Sequence, residues 1–258
     1  MTAPDTNRPT GAPPDPDPDR HPDGAAATGS RAAAPRTTKG TRTRARLLRV
    51  AAQVFADHGY HDASIVKITE AAEVGQGTFY LYFSSKQEVF EEVVRDLNSQ
   101  VRHAMFEASS AESDRIAAER AGFRAFFRFA AQNPALYRIV RQAEFVAPQM
   151  LRWHYERIAE GYVDGLRAAQ ARGELAPIDP EVLAWALMGI GEIVGMRWAL
   201  WGDADPAEPN RDGADDRPDG VPPLIFEATM RLIERALAPE STGPGDTTPV
   251  PATQEEQS

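Results

Sequence analysis

Residues 75–86 read Gly-Gln-Gly-Thr-Phe-Tyr-Leu-Tyr-Phe-Ser-Ser-Lys, and this stretch decides the fold. Phe79 and Phe83 stand four residues apart, so they share one face of a short helix predicted over 76–83, with Val74 beside them. The opposite side presents Gln76, Gly77, Thr78, Tyr80 and Tyr82. Its glycine leaves room for DNA to approach closely. A short helix with one apolar and one polar face is what entry into the major groove requires.

Two helices are predicted before this segment. Apolar residues recur at helical spacing from Thr41 until Gly59, a residue type that favours helix C-termini. Ser64 is an N-cap candidate for a second, short helix, which the sequence Glu73-Val74-Gly75 ends. A basic helix followed by two short helices is the helix-turn-helix arrangement, which indicates DNA binding. Ser64 and Lys86, each at a helix start, are placed to contact phosphates.

The charge of the chain is unevenly distributed. Its formal net charge is −10, which is unusual for a protein that binds DNA. Between residues 36 and 56, however, every charged residue is basic, namely Arg36, Lys39, Arg42, Arg44, Arg46 and Arg49. We expect Arg42 and Arg44 to add contacts to the DNA backbone or minor groove. The absence of cysteine excludes disulfides and thiolate metal sites and fits a cytoplasmic location.

The remainder of the chain is also predicted to be helical. Ser84 or Ser85 caps a helix that runs from Lys86 to about 106, and Glu88, three residues after Ser85, would complete a capping box. Further helices are predicted over 112–132, 134–144, 148–171, 181–201 and 223–237. No alternating pattern predicts a strand, so the fold class is all-α with about nine helices. We predict a disordered N-terminal arm (1–40), a helix-turn-helix domain (41–88), a helical ligand-binding and dimerisation domain (89–238) and a disordered tail (239–258).

The segment 75–86 closely resembles the recognition-helix signature of the TetR family, and Ala52-x-x-Phe55-Ala56-Asp57-x-Gly59-Tyr60 resembles the end of that family's first helix. The resemblance covers about 41–90 and implies a one-component transcriptional repressor with an N-terminal helix-turn-helix. It implies contacts to base edges from Gln76, Thr78 and Tyr80, and contacts to phosphates from Ser64, Tyr82 and Lys86. The chain departs from the family pattern at Thr69, where alanine is common, and at Glu73, which replaces a frequent turn glycine and leaves the turn type open.

The C-terminal helices combine many large apolar side chains with a few polar ones, a composition typical of ligand pockets between helices and equally of a packed core. The candidate ligand-binding residues are Phe126, Phe127, Phe129, Tyr137, Arg141, Phe145, Trp153, Tyr155, Met188, Glu192 and Trp198. The segment 133–146 resembles a TetR subgroup linked to lipid and acyl-CoA metabolism, which implies a small apolar or amphipathic effector. Arg138 and Arg141 would suit its phosphate or carboxylate, or equally a solvated helix face paired with Glu144.

The helices 181–201 and 223–237 are more apolar than one bundle needs to bury. In the TetR family the corresponding helices pair with their symmetry mates, which implies a homodimer and a (pseudo)palindromic operator. The composition of 181–201 is also membrane-like, but Glu192 and Arg197 favour a buried helix or an interface over a transmembrane span. The predicted partners are therefore double-stranded operator DNA, a small-molecule effector and a second copy of the chain, with no membrane.

No catalytic, cofactor or metal site is predicted. The run 57–62 contains His58 and His61 among acids, but a helix C-terminus accounts for them better than a metal does. His154-Tyr155-Glu156 lies within one helix, where its members point in different directions, so it makes a poor catalytic constellation. Three alternatives stay open: a DNA-binding protein without an effector, an adaptor with a vestigial helix-turn-helix, and an enzyme on an all-helical scaffold.

Overall fold

The structure, a computed structural model, describes residues 38–201 and 219–239. Within these residues the fold is all-α, with nine α-helices and no strand, which confirms the predicted fold class. The N-terminal helices are α1 (Thr38–Asp62), α2 (Ile65–Ala71) and α3 (Gln76–Tyr80). The remaining helices are α4 (Lys86–Ser109), α5 (Arg115–Gln132), α6 (Ala135–Val146), α7 (Pro148–Ala171), α8 (Pro180–Gly195) and α9 (Pro223–Leu237). A π-helical turn, Met196–Leu200, extends α8.

Several boundaries differ from those predicted. Because α1 begins at Thr38, residues 38–40 are helical, and the rest of the predicted arm lies outside the described residues. The recognition helix α3 is shorter than 76–83: the chain turns at Leu81, so Tyr82 and Phe83 follow the helix. The predicted tail lies outside the described residues from 240 onward.

Side-chain caps fix the starts of two helices next to the turn region. The Ser64 hydroxyl accepts a hydrogen bond from the backbone N–H of Lys67 at 3.2 Å, which caps α2. At α4, the Ser85 hydroxyl accepts from the Glu88 N–H at 3.1 Å, as the predicted capping box requires. The Glu88 carboxylate, however, accepts from the Ser84 N–H at 2.6 Å, one residue earlier than in the standard box.

Two residues with positive φ shape the DNA-binding half. Gly59 has φ +76°, which breaks the helical path of α1 three residues before its end at Asp62. Glu73, between α2 and α3, has φ +51°. Within the described ranges, every other residue with a positive φ is a glycine. The glutamate therefore adopts the left-handed conformation that a turn glycine would take, so the turn is kept at a cost in backbone strain.

Two large apolar clusters, and a small third one of Ala130, Tyr137 and Met196, form the core of the described residues. The first joins α1, α2, α3 and α4 to α6, and its fully buried members include Phe55, Phe79, Phe90 and Ile139. The second packs α5, α7, α8 and α9 around Phe127, Leu187, Phe226 and Met230. Since α6 belongs to the first cluster, the helix-turn-helix packs directly against the C-terminal helices.

The segment Pro180–Leu200 is, among the described helices, the one long and apolar enough to cross a membrane by length and composition alone. A core or interface helix passes the same test. Several apolar side chains on α8 and α9 remain exposed in the single chain, namely Val182, Trp185, Ile193, Leu224 and Leu232.

Candidate functional site

The recognition helix α3 separates an apolar face from a polar one. Phe79 is fully buried and Phe83 nearly so, with ring centroids 5.5 Å apart, so together they dock α3 and the turn after it. Gln76, Gly77 and Tyr80 are exposed, Thr78 is half-buried, and 55% of Tyr80 is open to solvent. A Cβ built at Gly77 would meet no atom within 4 Å, so the surface there is open. These side chains are free to meet base edges.

The residues predicted to contact the DNA backbone differ in their availability. Ser64 is half-buried, and its oxygen caps α2. Tyr82 is half-buried beside the first core cluster, and Arg42 is exposed on α1. Arg44 instead forms an ion pair with Glu92 at 2.6 Å and lies 5.3 Å from the ring centroid of Phe83. Its guanidinium therefore joins α1 to α4 in the free protein.

Lys86 is held inside the domain. Its ammonium donates hydrogen bonds to the carbonyls of Tyr60 and Ala63, both at 2.9 Å, and to that of His61 at 3.4 Å. It also lies 4.4 Å from the centroid of the Tyr60 ring, a cation–π contact. Three carbonyl acceptors use the three N–H groups of an ammonium. The predicted contact between this side chain and a phosphate would require breaking these bonds, so here Lys86 stabilises the end of α1.

An apolar cavity of about 70 Å³ lies inside the C-terminal helices, and we call it the inner cavity. Its wall comprises Met105, Phe123, Phe126, Leu136, Tyr137, Val140, His154, Tyr155, Ile158, Tyr162, Leu187, Met188, Gly191 and Glu192. The hydroxyl of Tyr155 donates to the Glu192 carboxylate, with both oxygens at 2.8 Å. Burial and this carboxylate raise the pKa of Tyr155 well above its usual range, so the phenol stays protonated and remains a donor.

His154 is a neutral acceptor in the same wall. The Asn98 amide nitrogen lies 3.1 Å from His154 Nδ1 and donates to the His154 carbonyl at 3.0 Å. Burial lowers the pKa of His154 to about 4, because desolvation disfavours the imidazolium. The neutral ring with an unprotonated Nδ1 therefore accepts from Asn98.

A larger and more polar cavity of about 590 Å³ adjoins the first, and we call it the outer cavity. It is bounded by α4, α5 and α7, and shares Met105, Phe123, Ile158 and Tyr162 with the inner cavity. Its polar wall includes Arg102, His103, Arg115, Ser99, Ser109 and Ser110. An amphipathic molecule could place an apolar part in the inner cavity and an anionic part here.

A buried ionic network lies in the wall between the two cavities. Arg115 and the Tyr162 hydroxyl both donate to the Glu119 carboxylate. Burial raises the pKa of Glu119, and the charge of Arg115 opposes that shift. Nε of Arg115 is buried without a hydrogen-bond partner. The network fixes Tyr162 where the cavities meet.

Comparison with known proteins identifies the family. Residues 47–93 match the family described as bacterial regulatory proteins, tetR family. The HTH-type transcriptional regulator YdgC of Bacillus subtilis is 30% identical over 175 residues, covering 66% of this chain and 88% of YdgC. The chain belongs to the TetR family of transcriptional regulators.

Solved TetR-type structures share the fold. The regulator FadR from Bacillus subtilis, in complex with stearoyl-CoA, superposes with a TM-score of 0.61 at 17% identity, over 74% of this chain and 98% of FadR. Salmonella enterica GusR has a TM-score of 0.60 at 22% identity, over 76% of this chain and 95% of GusR.

The inner cavity of this TetR-family regulator contains five of the predicted ligand-binding residues: Phe126, Tyr137, Tyr155, Met188 and Glu192. The other six lie elsewhere. Phe127 and Trp198 pack in or against the second core cluster, and Phe129 and Trp153 pack against the first. Arg141 donates to the sulfur of Met196 at 3.0 Å, and Phe145 is 83% exposed on α6.

Sequence reasoning missed His154, Ile158 and Tyr162, which form one stripe of α7 facing the cavities. The signal was present, because their i, i+4, i+8 spacing places them on one helix face. Adjacent His154 and Tyr155 both line the inner cavity, whereas Glu156 turns away and pairs with Arg152 at 2.6 Å. Among residues 38–201 and 219–239, no group of three or more His, Asp or Glu side chains is arranged to hold a metal ion.

Proposed function

We propose that this TetR-family regulator is a repressor that binds a palindromic operator as a homodimer and leaves it when a small apolar or amphipathic effector binds. The course of α4 carries the proposal: its first residue, Lys86, is bonded to the end of α1, and Met105 near its other end lines both cavities. A 24-residue helix is about 36 Å long, so a change of tilt at the cavities displaces the DNA-binding helices.

In this proposal the domain 41–88 reads DNA. Gln76, Thr78 and Tyr80 contact base edges, and Gly77 allows the backbone to come close. Ser64, Tyr82 and Arg42 contact phosphates. The exposure of Gln76 and Tyr80 on α3 supports these roles. An operator target implies a cytoplasmic location.

The proposed effector class is an acyl-CoA or a similar lipid-like metabolite. The inner cavity is almost wholly apolar, which suits an acyl chain, and Arg102 in the outer cavity suits an anionic head group. The presence of stearoyl-CoA in the related fold of Bacillus subtilis FadR supports this choice. Release from DNA requires that the effector bind the DNA-incompetent arrangement more tightly than the competent one.

Dimerisation is proposed through α8 with its π-helical turn and through α9. Both helices leave large apolar side chains uncovered in the single chain, among them Ile193 on α8 and Leu232 on α9. An isologous contact between two copies would cover these side chains and would set the two recognition helices at the spacing of successive major grooves.

The test is fluorescence anisotropy of labelled DNA from directly upstream of the gene, with purified protein and a panel of acyl-CoAs. We expect tight, salt-sensitive binding that one or more panel members release. Binding to the upstream fragment no tighter than to random DNA, at low salt and with neighbouring promoters included, would contradict the proposal.

Two variants test whether the recognition helix contacts operator bases through Gln76. Gln76→Ala should cost about 1–3 kcal/mol at one operator position and reduce the preference for operator over random DNA. The matched control is Gln132→Ala, an exposed glutamine at the end of α5, which should bind like the wild type. Equal behaviour of the two variants would remove Gln76 from the interface.

A further inference from the structure

The Glu192 carboxylate is an unusual group in the wall of the inner cavity. Most of its neighbours there are aliphatic or aromatic, among them Phe126, Val140 and Leu187. The Tyr155 hydroxyl donates its one hydrogen to this carboxylate and lies 2.8 Å from each of the two oxygens. A carboxylate offers about four lone-pair sites, so the pair retains acceptor capacity at the cavity.

Tyr155 and Tyr137 hold Glu192 in position at the cavity. The Tyr155 ring packs against Trp185, with centroids 6.1 Å apart, and its hydroxyl orients the carboxylate. The Tyr137 hydroxyl reaches the Glu192 backbone carbonyl at 3.4 Å. A Cβ at Gly195 would lie 2.2 Å from the Tyr137 hydroxyl, so glycine is required for this approach. Glu192 is thus held by packing on both sides.

Arg141 lies close enough to Tyr155 that its charge opposes the rise in the pKa of that phenol. The guanidinium of Arg141 donates to the Met196 sulfur, and no ion pair joins it to Glu192 among the described residues. Arg102 and Arg115 line the outer cavity instead. A ligand carboxylate beside Glu192 would bring two like charges together in apolar surroundings, whereas a hydroxyl or ammonium would supply the missing donor.

We propose that Glu192, oriented by Tyr155, makes the inner cavity selective for an apolar ligand segment that carries a hydrogen-bond donor, a hydroxyl or an ammonium, and excludes a free carboxylate from that end. Any anionic group of the same ligand then lies in the outer cavity beside Arg102, since Arg115 is paired with Glu119. This inference rests on the proposed function insofar as the same cavity is the effector site.

The experiment compares matched straight-chain 1-alkanols, alkylamines and fatty acids of six to twelve carbons by calorimetry on the full-length protein. For the wild type we expect the best alkanol and alkylamine to bind about tenfold tighter, or more, than the fatty acid of equal length. Equal affinity of all three classes, or no binding by any alkanol or alkylamine, would overturn the proposal.

Variants separate recognition from a structural role. Glu192→Gln should weaken alkylamine binding by about tenfold and strengthen fatty-acid binding, while alkanol binding changes little because an amide oxygen still accepts. Tyr155→Phe removes the hydroxyl that orients the carboxylate and should narrow the preference for alkanol and alkylamine over fatty acid, which tests the proposal independently should Glu192→Gln fold poorly. Glu181→Gln, an exposed glutamate on the same helix, is the control and should preserve the wild-type order. An unchanged order in both cavity variants would contradict the proposal.

Anisotropy with operator DNA distinguishes this failure from that of the proposed function. Donor-bearing ligands that bind in the expected order without releasing DNA would leave the site in place and overturn the effector role. If acyl-CoAs release DNA equally well from the wild type and from Glu192→Gln, the proposed function stands and the selectivity proposed for Glu192 is overturned.

Discussion

The backbone N–H of Tyr60 donates a hydrogen bond of 2.6 Å to the side-chain oxygen of Gln142, and this bond joins the end of α1 to α6. The Gln142 amide nitrogen also donates to the Phe55 carbonyl of α1 at 3.2 Å. The same helix α6 lines the inner cavity with Leu136, Tyr137 and Val140. Gln142 is therefore a direct link between the cavity and the DNA-binding helices.

We predict that Gln142→Ala uncouples effector binding from DNA release. Loss of two hydrogen bonds of about 1 kcal/mol each should shrink the effector-induced change in operator affinity by roughly fivefold or more, with effector affinity kept within about twofold. Anisotropy with and without saturating effector, together with calorimetry, measures both quantities. Gln149→Ala, at an exposed glutamine of α7, should respond fully. A full response of Gln142→Ala would show that coupling runs elsewhere.

Lys86 is predicted to stabilise the domain without contributing to the salt dependence of DNA binding. Lys86→Met loses charged hydrogen bonds to the end of α1, so the free energy of unfolding should fall by about 1.5–3 kcal/mol. Arg42→Ala is the contrast: the exposed side chain should leave stability within about 0.5 kcal/mol and lower the slope of log K against log salt by about 0.9. Urea unfolding and salt titrations test both. If Lys86→Met instead lowers the slope of log K against log salt, then Lys86 does contact a phosphate in the complex.

The turn before the recognition helix provides a stability prediction of opposite sign. Since Glu73 has φ +51°, Glu73→Gly should relieve strain and raise the free energy of unfolding by about 0.5–1 kcal/mol, after the entropic penalty of glycine. Glu70→Gly, three residues earlier within α2, should lower it by about 1 kcal/mol. Thermal unfolding of the two variants compares them directly, and a Glu73→Gly protein less stable than wild type would refute the strain argument.

The elements of this fold were predictable from sequence because their signals are local. Apolar spacing defines α1 and α4, and Ser64 and Ser85 cap as their residue types suggest. The end of α3 was not predictable, since Phe83 docks through tertiary packing after the helix has already ended. Glu73 shows the same limit, because its left-handed conformation is set by the turn rather than by its own preference.

The cavity was only partly predictable, because helical spacing shows that a residue faces inward but not what it faces. Phe126 lines the inner cavity, while adjacent Phe127 is fully buried in the second core cluster. Phe145, with the same side chain, is exposed at the end of α6. Which aromatic side chain meets empty space depends on how five helices, α4 to α8, pack together, and no local pattern encodes that arrangement.

The proposed dimer interface predicts that a charge placed on α8 or α9 prevents dimerisation, whereas a charge on another exposed apolar residue does not. Ile193→Glu on α8 and Leu232→Glu on α9 place a charge on the proposed interface, so sedimentation should show monomers at concentrations where the wild type is dimeric. Operator affinity should fall in parallel, because half-site binding loses the second recognition helix. Phe145→Glu alters an even more exposed apolar residue on α6 and should remain dimeric. Dimeric Ile193→Glu and Leu232→Glu proteins would place the interface elsewhere.

His154 predicts a loss of stability on mild acidification. Burial lowers its pKa in the folded protein to about 4, below the value of about 6.5 in an unfolded chain. Below pH 6.5 the unfolded chain therefore takes up a proton that the folded ring refuses, and stability falls until about pH 4. This single group should contribute a loss of about 2 kcal/mol between pH 7.5 and 5. Urea unfolding at both pH values should show a correspondingly smaller drop in His154→Gln than in wild type or in His103→Gln, whose histidine is exposed on α4. An equal fall in the free energy of unfolding for all three proteins would mean that His154 takes up its proton equally in the folded and unfolded chains. The hydrogen bond from Asn98 to Nδ1 of His154 would then not persist in acid.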